Sequence, residues 1–67
     1  MDAFEKKPYI VIKHRGNIRA LGFVHDDDAK QLARDFLKEP PQADSGVLHC
    51  FDPETNELAY SQHVQRD

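Results

Sequence analysis

Sixty-seven residues hold one domain and no more, and a core this small needs a disulfide, a metal or a partner to help it. Cys50 is the only cysteine, which excludes an internal disulfide; with no long apolar run, the expectation is a soluble, cytoplasmic protein without membrane contact. Nine Lys and Arg against twelve Asp and Glu leave a formal charge of −3, which argues against a general nucleic-acid binder and is too mild to mimic the charge of DNA.

Residues 1–7 are polar and charged apart from Phe4 and read as a flexible lead-in. Residues 8–25 read as a hairpin. Tyr9-Ile10-Val11-Ile12 is a dense β-branched run, Ile18 to Val24 is a second apolar segment, and Gly16-Asn17 between them suits a two-residue turn with glycine first. That turn sets Arg15 opposite Ile18 and pairs Ile12 with Leu21 and Ile10 with Phe23 on one face. The other face then holds Tyr9 with Val24, Val11 with Gly22, and Lys13 with Ala20.

Residues 26–39 read as a helix opened by Asp26-Asp27-Asp28, any of which suits the N-cap and the positive end of the helix dipole. Ala29, Leu32, Ala33, Phe36 and Leu37 recur at the spacing of one helical stripe. Lys30, Gln31, Arg34, Asp35 and Lys38 fall outside it. Pro40-Pro41 ends the helix, since proline lacks the amide hydrogen and restricts the residue before it.

Residues 46–65 read as a second hairpin, Val47 to Phe51 paired with Leu58 to Val64 around the turn Asp52-Pro53-Glu54-Thr55-Asn56. One face collects Val47, His49, Phe51, Leu58, Tyr60 and Val64, the other Leu48, Cys50, Ala59, Ser61 and His63; the pattern leaves open which one meets the helix. The fold class that follows is α+β in the order ββαββ, a four-stranded antiparallel sheet with one amphipathic helix on one face. The expected strand order is 2-1-3-4 or 1-2-4-3.

One helix covers one face of such a sheet. The expected core is Ile10, Ile12, Leu21, Phe23, Leu32, Ala33, Phe36 and Leu37, which leaves Tyr9, Val11, Ala20 and Val24, with Tyr60 from the second hairpin, on the uncovered face. An exposed apolar patch of this kind marks an interface. The expected function is a non-enzymatic protein-interaction module, a regulator, inhibitor or accessory factor of the sort phages and mobile elements encode, bound to another protein or to itself as a homodimer.

The rival is a nucleic-acid-binding accessory protein using Lys13, His14, Arg15 and Arg19 around the first hairpin tip, where arginines are able to grip phosphate in bidentate fashion. No aromatic side chain is interleaved with that cluster for base stacking. No metal, cofactor or catalytic residue is expected. His49 and Cys50 are adjacent and so point to opposite faces of a strand, and His25 beside three aspartates reads as a helix start. Cys50 and His63 share a face in this reading, yet a helix on a sheet leaves little volume for a cleft. Cys50 is better read as a small buried hydrophobe.

Overall fold

The computed structural model describes residues 6–67. The expected lead-in, with Phe4, lies outside the described residues through Glu5, and Lys7 already belongs to the first strand. Four strands and one helix follow in the order β1 (Lys7–His14), β2 (Asn17–Val24), α1 (Asp26–Lys38), β3 (Ser45–Phe51) and β4 (Leu58–Gln65). All pairings are antiparallel and the spatial order is β2-β1-β3-β4, so the two hairpins meet through β1 and β3. This is the ββαββ architecture expected from the sequence, with the first of the two strand orders.

The first turn lies one residue earlier than expected. His14 pairs with Asn17, leaving Arg15 and Gly16 as the central residues, both at positive φ (26° and 102°). Positive φ at both positions matches the strand twist, as in type I′ hairpins. Two irregularities then displace the expected pairs. Ile12 faces Ile18 and Ile10 faces Ala20, whereas Tyr9 faces Gly22 and Pro8 faces Phe23. Lys13 is the extra residue on β1 and Leu21 the extra residue on β2, the latter beside Gly22 at φ 79°. A bulge of this kind re-aims the residues around it.

The helix packs across all four strands, and each end is tied to the sheet electrostatically. His25 is the N-cap residue, so the three aspartates occupy the first turn rather than the cap, where their charge suits the helix dipole. Asp26 takes the hydroxyls of Tyr9 and Tyr60 and lies 3.8 Å from the Lys7 ammonium. At the other end Lys13 donates to the Glu39 carbonyl at 2.5 Å, and its ammonium sits 4.8 Å over the Phe36 ring. The last carbonyls of a helix lack intrahelical partners and carry partial negative charge. Lys13, only 4% exposed, therefore has an acceptor for its charge.

The core is built from Tyr9 and Val11 of β1, Leu48 and Cys50 of β3, Val64 of β4, and Ala29, Ala33, Phe36 and Leu37 of the helix. Fully burying a leucine such as Leu37 or Leu48 is worth about 1.5–3 kcal/mol. The layers approach most closely at Gly46, where a Cβ would lie 2.6 Å from the Ile12 carbonyl oxygen and 3.0 Å from Leu37 Cδ2. Any larger residue would push β3 away from β1 and the helix.

This core corrects the expected one on β1 and β2. Ile10 and Ile12 are not in it, Phe23 is exposed, and Leu32 lies exposed on the helix flank. Leu21 is partly buried against the core because the bulge turns it inward. On the second hairpin the covered side carries Leu48, Cys50, Tyr60 and Val64, a set that neither expected face contained. Ala59 is an extra residue on β4, between the pairs Cys50–Tyr60 and Phe51–Leu58, and shifts the alternation there.

Candidate functional site

The register defines the side of the sheet that the helix does not reach. Adjacent strand residues alternate between faces, and cross-strand partners share one. Because Tyr9, Val11 and Lys13 are buried beneath the helix, the other side holds Pro8, Ile10 and Ile12 of β1 and their partners Phe23, Ala20 and Ile18 of β2. From the second hairpin come Ser45, Val47, His49 and Phe51, opposite Gln65, His63, Ser61 and Leu58. Ile18, Phe23 and Leu58 are 60%, 61% and 53% exposed. Around Pro8, Ile10, Ala20 and Phe51 the surface dips into a hollow of about 380 Å³.

Among the described residues, no Asp, Glu, Lys or Arg occupies a strand position on this face. In a chain that is 31% charged, such a gap is chemically informative. The strand cations are on the opposite side: Lys7, Lys13 and Arg19 all reach toward the helix. The only polar contact between side chains on the uncovered face is His49 Nδ1 to Ser61 Oγ at 2.5 Å, among the described residues. The His49 ring also lies 6.4 Å from that of Phe51, tilted by 54°.

The expected interface residues are distributed otherwise. Tyr9 and Val11 are on the covered face and fully buried, a correction to their placement. Val24 is partly buried against the core, and Tyr60, though exposed, stands on the helix side, its hydroxyl 2.7 Å from that of Tyr9. Ala20 alone of the five is exposed on the uncovered face. The physical reason is that β1 is apolar on both sides, so alternation could not choose between Tyr9 with Val11 and Ile10 with Ile12. The tyrosine hydroxyls and the Lys13 ammonium settle the choice, since the helix side offers them Asp26 and the Glu39 carbonyl as acceptors.

The basic cluster expected at the hairpin tip is not assembled. Lys13 is buried against Glu39 and Phe36. Arg19 forms a 2.8 Å ion pair with the Glu39 carboxylate, its guanidinium 5.6 Å over the same Phe36 ring. His14 and Arg15 are left exposed at the tip. Cys50 and His63, expected on one face, are on opposite ones: the thiol is buried in the core, the imidazole is on the uncovered face. His49 and Cys50 diverge as expected.

A polar cluster at the helix start joins Tyr9, Tyr60 and Asp26. Burial raises the Tyr60 phenol above its ordinary range, and the neighbouring Cys50 thiol and Asp26 carboxylate push in the same direction. Beside it a groove of about 530 Å³ runs between Lys6, Lys7 and the β3–β4 turn. The cluster is occupied in holding the helix start to the sheet, and a phenol kept protonated is a poor nucleophile or base. No group of three or more His, Cys, Asp or Glu is arranged to hold a metal among the described residues.

No helix among the described residues is long and apolar enough to cross a membrane. No protein-family model, no curated protein and no solved structure matches the chain.

Proposed function

We propose that this chain is a non-enzymatic protein-interaction module, a small regulator, inhibitor or accessory factor that docks through the uncovered face of its sheet. A single observation carries this: the face combines exposed Ile18, Phe23 and Leu58 with a complete lack of fixed charge among its described strand positions. Solvent-facing sheets are ordinarily polar, whereas the centres of protein interfaces are apolar and depleted of charged residues. The residues put forward are Ile10, Ile12, Ile18, Ala20, Phe23, Val47, Phe51 and Leu58, with His49 and Ser61 as the polar pair among them.

The test substitutes exposed positions that the core does not need. Ile18→Asp and Phe23→Asp are expected to abolish association, read by light scattering and by co-purification from native lysate, while circular dichroism stays that of the wild type. A wild-type protein that is monomeric and retains no partner would overturn the proposal.

A further inference from the structure

We infer that the uncovered face pairs with the same face of a second copy, in a dimer that opens when His49 and His63 take up protons. This rests on the proposed docking face and adds both its occupant and its control.

Charge selects the occupant. A face with no Lys or Arg among its described strand positions offers nothing to a phosphate backbone or an anionic headgroup. With no Asp or Glu it offers nothing to a basic peptide. Its complement is a second neutral, apolar surface, and another copy presents one. A two-fold axis then sets each side chain against its own counterpart or a neighbour, and neutral counterparts do not repel. Strands about eight residues long and spaced about 4.8 Å project on the order of 500 Å² per copy. Two such faces bring together on the order of 1,000 Å², which is the range of weak, reversible interfaces and below the roughly 1,200 Å² at which stable ones begin. A dimer in that range responds to a small opposing term.

The histidines supply it. His49 lies between Ile10 of β1 and Ser61 of β4, with Val47 and Phe51 along its own strand. His63 is opposite Val47 and flanked along β4 by Ser61 and Gln65. From β2 the face receives Ile18, Ala20 and Phe23. None of these neighbours titrates, and none is a carboxylate that would welcome an imidazolium. At the borders Asp52 accepts the Glu54 amide at 2.9 Å, and Asp44 pairs with Arg66 at 3.4 Å. Burying a neutral imidazole costs far less than burying an imidazolium without a counter-charge.

The free monomer therefore binds protons more readily than the dimer, and by linkage a falling pH favours the monomer. The overall charge acts the other way. Four added protons take a formal −3 to +1, which lowers the repulsion between copies, so dissociation in acid requires a local cause.

The experiment measures the mass of the full chain by sedimentation at about pH 8 and about pH 5, with circular dichroism at both, beside His49→Gln/His63→Gln and Phe23→Asp. The expected result is a wild-type dimer at the higher pH whose dissociation constant rises at least about tenfold at the lower one. The double glutamine variant has the same dissociation constant at both pH values, whatever that constant is, and Phe23→Asp is monomeric at both. A wild-type dimer indifferent to pH, or a glutamine variant that dissociates alongside it, would overturn the switch and leave the docking face standing. A wild type monomeric at the higher pH overturns the second copy as occupant. If Phe23→Asp then loses a partner that the wild type retains, the docking face still stands; if neither retains one, both proposals fall.

Discussion

The two faces of the sheet reverse the usual division of labour between core and surface. The side beneath the helix is chemically mixed: it packs Val11 and Leu48 but also houses Lys13 and Arg19 and the hydroxyls of Tyr9 and Tyr60, each matched to a group on the helix. The side toward solvent carries aliphatic and aromatic side chains, with Ser45, Ser61, Gln65 and two histidines toward β3 and β4, and no fixed charge among its described strand positions. Polarity here follows partners rather than depth. A long cation is placed inward because a helix terminus supplies acceptors there, and its methylene stem covers apolar surface on the way.

The largest test of that contrast puts one carboxylate on each face. Val11→Asp buries an unpaired charge in the core and should destabilise the fold by about 4 kcal/mol or more, enough to remove a cooperative urea transition in a domain this small. Ile18→Asp, on the other face and 60% exposed, should cost less than about 1 kcal/mol once association is excluded by dilution. Equal losses would erase the distinction between the faces.

Gly46→Ala probes how closely the layers approach. Its new Cβ would meet the Ile12 carbonyl at 2.6 Å, and the expected cost in urea denaturation is about 1–3 kcal/mol. Tyr9→Phe removes the hydroxyl shared with Asp26 and Tyr60 and should cost about 1–2 kcal/mol. A double-mutant cycle with Tyr60→Phe should give clear non-additivity, because the two phenols are members of one network.

The smallest effect is alkaline. The folded state holds the Tyr60 phenol above its ordinary range, so its contribution to stability is fully present below about pH 10, the unfolded value, and is lost as pH rises through the folded one. Ultraviolet titration should show a tyrosine that ionises above the ordinary phenol range and is missing from Tyr60→Phe, and the same variant should flatten the alkaline decline in melting temperature.

The sequence made the element order legible because each signal was local: the apolar stripe Ala29, Ala33, Phe36 and Leu37, the stop at Pro40-Pro41, and turn chemistry at Gly16 and Pro53. It did not reveal which way the sheet faces. Tyr9 with Val11 and Ile10 with Ile12 are equally apolar, so a period of two identifies both sets without ranking them. Three register irregularities, at Lys13, Leu21 and Ala59, then shift the alternation in β2 and β4 by one residue, which moves side chains between faces. One signal did point the right way. Lys13 and Arg19 are set at the end of the sheet where a helix finishing at Lys38 presents its carbonyls, and cations favour that pole. Reading those residues as a surface cluster concealed both the covered face and the bare one.

The bulges at Leu21 and Ala59 share a property beyond register, for both belong to the outermost strands, β2 and β4. An incoming strand from another molecule would need an unbroken ladder of amide and carbonyl groups, and a bulge interrupts that ladder while twisting the edge away. A protein with one greasy side and two regular edges would grow into ribbons. With a bulge in each outermost strand, neither margin of this sheet offers the regular ladder that such growth would need.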